Sequence, residues 1–223
     1  MRKFEGIFTE YKEMRNRFKD KVGVVGRIQE AKRVISGDFS LSYPLSKLID
    51  FVNSKKKSVV VHDVGGAAGS DYFRVLPYIR NSELKWRVYE LPEVVFDYMS
   101  FLNAYNNIKI YNIKKLKLTK GINIFYSKGT IQYLEDPRMM LEFASKCDAV
   151  FLHNLLASPD IPTFLTYQKE VAPSWCLNSE EVDSFFKGFR YYDMGLADEH
   201  GMDMSALPEL FHFKKMRNVV AIK

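Results

Sequence analysis

A loop of small residues between an acid and a serine has the residue types best suited to holding a ligand. It follows an apolar run at 59–61 and reads Asp63-Val64-Gly65-Gly66-Ala67-Ala68-Gly69-Ser70. Glycines allow a tight turn and close approach of the backbone to a bound group, because they lack a Cβ. A second acid, Glu90, lies 21 positions after Gly69 at the end of another apolar segment. An acid at that distance is placed to bind the two hydroxyls of a ribose, so the pattern predicts a nucleotide-like cofactor.

The order of the small residues favours one cofactor over another. A dinucleotide site usually reads G-x-G-x-x-G, and its middle glycine makes room for a pyrophosphate at a helix N-terminus. Here Ala67 occupies the middle position, and Asp63 precedes the first glycine by two residues. A carboxylate there suits a ligand with an ammonium group, such as the methionyl part of S-adenosylmethionine. We therefore expect S-adenosylmethionine, with NAD as the alternative and a loop that binds nothing as a third interpretation.

The surrounding pattern predicts the elements that position this loop. Short apolar segments alternate with helical ones, which is typical of an α/β fold with a doubly wound, mostly parallel sheet. The last two strands are predicted to form a C-terminal antiparallel β-hairpin, and Pro77 is expected to shorten the helix after the loop. A Rossmann-like sheet of seven strands is expected, near 59–61, 84–90, 108–111, 122–126, 149–152, 189–194 and 218–222.

The N-terminal part of the chain is expected to be helical. We predict a helical segment at 1–54, packed on a core at 55–223 within a single domain. Its apolar residues recur at three- and four-residue steps, as on one face of an amphipathic helix: Ile7, Tyr11, Met14 and Phe18. Gly23 and Gly26 are expected to interrupt the helical pattern. These N-terminal helices are expected to pack on the core or to cover the ligand.

Composition excludes several other classes of protein. The chain of 223 residues has 33 Lys and Arg against 27 Asp and Glu, but its basic runs at 55–57 and 114–117 lack interleaved aromatic residues. We therefore expect no nucleic-acid partner. No run approaches the roughly 20 apolar residues of a membrane span. Two cysteines make no disulfide framework, so a cytoplasmic location is expected. No metal site is predicted, because the residues around His200 offer too few spaced ligands.

Three motifs carry a resemblance to a known family. The loop at 63–73, the segment at 86–93 and the segment at 129–137 resemble class I S-adenosylmethionine-dependent methyltransferases. They are more closely similar to a family associated with bacterial surface-polysaccharide genes, over about residues 55–180. The resemblance implies that Asp63 lies near the methionyl amine and that Glu90 holds the ribose. The expected cofactor-binding residues are Asp63, Gly65, Gly66, Ala67, Gly69, Glu90, Leu91, Ser127 and Lys128.

The chain departs from the family pattern in two places that affect the chemistry. Asn112 replaces the acid that often ends the third strand, and His153-Asn154 replaces an Asp-Arg pair after the fifth strand. Methyl transfer to a hydroxyl needs a group that accepts the proton. His153, which follows the predicted strand at 149–152, is the expected catalytic base, because a histidine side chain can take up a proton near neutral pH. The alternative is a histidine that only ends the strand.

The expected function is methyl transfer from S-adenosylmethionine to a hydroxyl of a sugar or glycan precursor. The acceptor is then a small molecule or a glycan, and the sequence also permits a homodimer. Three rival functions remain at this point. They are a NAD-dependent oxidoreductase, a non-catalytic module that binds S-adenosylmethionine, and a partner-binding protein without a cofactor.

Overall fold

A computed structural model describes residues 2–8, 10–11, 24–168, 172–197, 202–212 and 216–223. The helices are α1 (Val24–Ile35), α2 (Tyr43–Ser54), α3 (Ser70–Val75), α4 (Pro92–Leu102), α5 (Pro137–Ala144) and α6 (Ser179–Ser184). The first six strands are β1 (Arg2–Phe8), β2 (Val59–Val64), β3 (Leu84–Glu90), β4 (Ile108–Asn112), β5 (Ile122–Lys128) and β6 (Ala149–Leu155). The others are β7 (Ala157–Ser158), β8 (Phe164–Gln168), β9 (Ala172–Asn178), β10 (Arg190–Ala197), β11 (Met202–Ala206) and β12 (Met216–Ile222).

The main sheet has seven strands in the order β10-β12-β6-β5-β2-β3-β4. Strands β2 to β6 are parallel, whereas β12 is antiparallel to both β6 and β10. Every residue of β2 is buried, as expected for a central strand that is covered on both faces. The predicted mostly parallel sheet of seven strands, with its C-terminal antiparallel pair, is confirmed.

Helices cover both faces of this sheet. One core joins Val61 and Tyr126 to residues of α1, α2, α3 and α4. The other joins Val64 and Phe125 to residues of α5 and α6. Strand order reverses between β2 and β5, because β3 and β4 lie on one side of β2 and β5 and β6 on the other. In open α/β sheets, ligands bind at such a switch point, beyond the carboxyl ends of the strands.

The predicted N-terminal helix is wrong for the described residues that precede α1. Residues 2–8 form β1, which pairs with β8 and β11. Pairing with strands about 160 and 200 residues away replaces the local helical periodicity, since sequence propensity is a weak determinant beside tertiary contacts. Gly26 does not end a helix either, because α1 runs through it. Met14, Phe18 and Gly23 lie outside the described residues, and the division near residue 54 stays a prediction.

A second sheet, which the sequence did not predict, has five strands in the order β11-β1-β8-β9-β7. It combines the N-terminal strand, the segment after β6 and the connection between β10 and β12. Its small core contains Phe4, Phe164 and Cys176. β9 packs against the turn at 131–133, which follows β5, and the Tyr133 hydroxyl donates to Gln168 Oε1 of β8 at 2.7 Å. The second sheet therefore borders the carboxyl ends of β5 and β6.

Pro77 shortens the helix after the glycine loop, as predicted. Helix α3 ends at Val75, and a 3-10 turn covers 76–78. Among the described residues, no helix has the length and apolar character needed to cross a membrane.

Candidate functional site

The glycine loop between β2 and α3 takes backbone conformations that only small residues tolerate. Gly65 has φ +76°, and an added Cβ there would lie 2.2 Å from the Thr130 side chain. Gly69 has φ +71°, and its Cβ would lie 2.4 Å from Ile108 Cδ1. Ala67 also has a positive φ, 48°, a region in which a residue with a Cβ is uncommon. The loop is thus held tightly against β4 and the segment after β5.

Glu90 reaches the same loop from the end of the neighbouring strand. β2 and β3 pair in parallel with Val64 opposite Tyr89, so Glu90 lies beside the loop that follows Val64. Its Oε1 accepts a hydrogen bond from the backbone N–H of Ala67 at 2.8 Å. The spacing read from the sequence has therefore identified a carboxylate that contacts the glycine loop.

Asp63 lies beneath the loop. It is 1% exposed, and the indole N–H of Trp86 donates to its Oδ2 at 2.8 Å. A Cβ on Gly66 would lie 2.2 Å from that same oxygen, so the backbone of the loop covers the carboxyl group. Burial, followed by the negative charge of Asp71, raises the pKa of Asp63 well above its usual value.

Asp71, which the sequence did not single out, is the centre of a charged cluster on α3. The Tyr126 hydroxyl donates to its Oδ2 at 2.9 Å, and Lys128 Nζ lies 3.5 Å from its Oδ1. Arg74 also donates to Oδ1 and pairs with Glu30 Oε1 of α1 at 2.9 Å. The only sequence signal for this cluster is an acid and an arginine three positions apart in an otherwise apolar turn.

The cations keep Asp71 ionised although it is buried. Burial opposes its ionisation, but the charges of Lys128 and Arg74 outweigh that effect, and the pKa of Asp71 lies below its ordinary value. The same environment raises the pKa of Tyr126 well above its usual range, through burial and through the Asp71 charge. The pKa values of the neighbouring carboxyl groups of Asp63 and Asp71 are therefore shifted in opposite directions.

A cleft of about 420 Å³ opens beside this cluster. One wall comes from α1, and another comes from the segment at 38–42 with the first turn of α2. Arg74 and Lys128 form the side nearest the sheet. The cleft is lined by both charge signs and by the partly buried ring of Phe39. It is a polar site with an aromatic wall, next to the carboxyl end of β5.

His153 lies within β6, which extends to Leu155, and not after the strand as predicted. It is paired with Lys128 across the parallel β5–β6 ladder. Side chains alternate along a strand, so His153 shares a sheet face with Phe151, whose core includes α1 and α2. Its backbone carbonyl accepts from the Gly129 N–H at 2.7 Å. The side chain is half-buried, on the same sheet face as Lys128.

The remaining predicted residues take mainly structural positions. The Ser127 hydroxyl donates to the Val64 carbonyl at 3.0 Å and so links β5 to β2. Leu91 precedes α4, and its carbonyl accepts from the Val94 N–H at 2.9 Å. Asn112 Oδ1 accepts from the Lys114 N–H at 2.9 Å. No group of side chains suited to a metal ion occurs among the described residues, and His200 lies outside them.

Gln132, which follows β5, and Asn154, near the end of β6, are two further polar residues at this edge of the sheet. Asn154 has φ +57°, and its carbonyl accepts from the Gln132 amide at 3.1 Å. Gln132 is 1% exposed, and its Oε1 has no hydrogen-bond partner within the described part of the chain. A strained backbone and an unsatisfied buried amide oxygen together mark the carboxyl ends of β5 and β6 as a functional region.

No protein-family model matches the chain, and no curated protein has a significantly similar sequence. Solved structures do match it. One is Burkholderia thailandensis 1,6-didemethyltoxoflavin-N1-methyltransferase with bound 1,6-didemethyltoxoflavin and S-adenosylhomocysteine. Its TM-score is 0.55 at 12% identity, over 97% of this chain and 91% of that chain.

Two further structures give similar values. The N-terminal domain of EvdMO1 with SAH bound has a TM-score of 0.53 at 11% identity, over 88% of this chain and 95% of that chain. An S-adenosylmethionine-dependent methyltransferase from Clostridium acetobutylicum has a TM-score of 0.52 at 9% identity, over 89% and 98%. The chain has the Rossmann-like methyltransferase fold. At these identities the likeness concerns the fold.

Proposed function

We propose that this protein is an S-adenosylmethionine-dependent methyltransferase that methylates a hydroxyl of a sugar or glycan precursor. The observation that carries the proposal is the contact between Glu90 and the Ala67 N–H at the switch point of the sheet. It joins the two elements that a nucleoside requires, a carboxylate for the ribose and a loop without bulky side chains. The fold shared with structures that contain S-adenosylhomocysteine supports it.

The residues present fit the cofactor. A Cβ at Gly65 or Gly66 would collide with neighbouring side chains, and the bare backbone of the loop leaves a surface on which a nucleoside can lie. Glu90 would accept hydrogen bonds from the ribose hydroxyls, and Leu91 would border the same nucleoside. Asp63, Ser127 and Lys128 complete the proposed set: the first two hold the loop and β5 in place, and the third brings a positive charge.

When bound, the cofactor supplies an electrophilic methyl group. The chain must align an acceptor hydroxyl with that group, exclude water and accept the hydroxyl proton. We assign proton acceptance to His153, because it lies beside Lys128 on the strand next to β5. A neutral imidazole accepts a proton near neutral pH. Positioning belongs to the cleft walls and to the second sheet, which borders the same strand ends.

A sugar-like acceptor fits the cleft at Lys128. Its lining contains acidic, basic and serine side chains. Together these side chains can donate hydrogen bonds to sugar hydroxyls and accept hydrogen bonds from them. Phe39 offers an apolar face beside them. The cleft volume of about 420 Å³ lies within the ordinary range for small-molecule sites. A homodimer and a cytoplasmic location stay predictions.

The test is transfer of an isotopically labelled methyl group from S-adenosylmethionine to a panel of nucleotide-sugars and oligosaccharides. The proposal predicts label in at least one hydroxylated acceptor and loss of that transfer in His153→Gln. Tight S-adenosylhomocysteine binding without transfer to any acceptor would instead indicate a non-catalytic binding module. Binding of NADH in its place would indicate an oxidoreductase.

A further inference from the structure

We propose that Asp71, which lies behind Arg74 and Lys128 at the edge of the cleft, is the residue that binds the methionyl ammonium of the cofactor. This inference rests on the proposed function, and it names a residue outside the set that the glycine-loop pattern identifies. It assigns a structural role to Asp63, before the glycine loop, and a ligand-binding role to Asp71, after the loop.

Asp63 is poorly placed to meet a cation. Its Oδ2 already accepts from the Trp86 indole at 2.8 Å, and the backbone of Gly66 lies over it. The side chain is 1% exposed, so a ligand above the loop cannot reach it without moving the loop. Burial also raises the pKa of Asp63, which disfavours the carboxylate form that would pair with an ammonium. Asp63 therefore supports the glycine loop through its contacts with Trp86 and Gly66.

Asp71 already has an alkylammonium group beside it. Lys128 Nζ lies 3.5 Å from Asp71 Oδ1, the longest distance in the cluster, and the lysine side chain is 36% exposed. Both cations that contact Oδ1, Arg74 and Lys128, line the cleft. A ligand in the cleft therefore approaches the charged cluster at its longest contact, the one between Lys128 and Asp71. An ammonium group of that ligand can take the position of Lys128 Nζ.

The rest of the cluster would stay in place after that exchange. Tyr126 holds Oδ2 through its hydroxyl at 2.9 Å, and Arg74 keeps Glu30 as a second partner at 2.9 Å. When Lys128 moves away, the Asp71 carboxylate loses one of its two neighbouring cations. The ammonium of the ligand then replaces that positive charge. A buried, oriented carboxylate is a strong partner for an ammonium, because charge-assisted hydrogen bonds are the stronger class.

The experiment compares two ligands on two proteins by calorimetric titration. The ligands are S-adenosylhomocysteine and its analogue with hydrogen in place of the amino group. The wild-type protein is expected to bind the amino compound about 10- to 100-fold more tightly, the range for a hydrogen bond between charged groups. In Asp71→Asn the two affinities should become nearly equal. Asp50→Asn, which removes a carboxylate that is 73% exposed on α2, should keep the wild-type preference.

A second variant covers the case in which Asp71→Asn does not fold. Lys128→Gln removes the competing cation from a partly exposed position, so the preference for the amino compound should persist or increase. Loss of the preference in Lys128→Gln, or its persistence in folded Asp71→Asn, would overturn the assignment. Failure of the proposed function is distinguishable, because the wild-type protein would then bind neither ligand.

Discussion

Acidification should destabilise this fold through one buried histidine, His62 in β2. Its side chain is fully buried. Nε2 lies 2.9 Å from Asn123 Oδ1 and Nδ1 lies 3.3 Å from the Tyr89 hydroxyl. An amide oxygen only accepts, so Nε2 carries the proton and Nδ1 accepts from Tyr89. Burial, opposed by the Asn123 bond and reinforced by the Arg87 charge, lowers the pKa of His62 to about 4.

The size of the effect follows from linkage. Unfolded His62 takes a proton near its ordinary pKa of 6.5, whereas the folded residue does so near 4. The unfolded state therefore binds more protons between these values, and the free energy of unfolding falls as the pH falls. At about 1.4 kcal/mol for each pH unit, the loss across the window is about 3 kcal/mol. Above pH 6.5 this contribution is constant.

Urea unfolding of the wild-type protein and of His62→Gln, from about pH 7.5 to about pH 4.5, measures this loss. Glutamine can still donate to Asn123 and accept from Tyr89, but it does not titrate. The variant should lose about 2–3 kcal/mol less than the wild-type protein over this range. Equal losses in the wild-type protein and His62→Gln would refute the reasoning.

Three substitutions test the site itself. Glu90→Ala should weaken S-adenosylhomocysteine binding by about 1–3 kcal/mol in calorimetry, whereas Glu142→Ala, on α5 at the opposite sheet face, should not. Gly65→Ala should lower the free energy of unfolding by at least about 2 kcal/mol, because its φ is +76° and Thr130 occupies the Cβ position. Its control, Gly26→Ala in a helix with open space, should stabilise by up to about 1 kcal/mol in the same urea assay. His153→Gln should cut methyl transfer by roughly 10²- to 10⁴-fold, with the affinity for S-adenosylhomocysteine unchanged.

The features that depend on local pattern were predictable from the sequence. The buried strand before the loop, the glycines and the acid at Glu90 each have a strong local signal, and parallel pairing brings them together. The C-terminal antiparallel pair was also predictable, since β10 and β12 are apolar segments near the end of the chain. The segment that connects β10 to β12, however, contains β11, which belongs to the second sheet.

The features that depend on distant contacts were not predictable. β1 is a strand because β8 and β11 pair with it, and no periodicity within residues 2–8 shows this. Asp71 acquires its environment from Tyr126 and Lys128, more than 50 residues away. Asp63 was correctly placed at the end of β2, but its burial under Gly66 depends on how the loop folds.

The most direct test of the central claim is calorimetric titration of the purified protein with S-adenosylhomocysteine, beside NAD and NADH. The site built from the glycine loop and Glu90 predicts saturable binding of S-adenosylhomocysteine alone. Binding of a nicotinamide cofactor, or of none of the three, would contradict the methyltransferase assignment and leave only the fold.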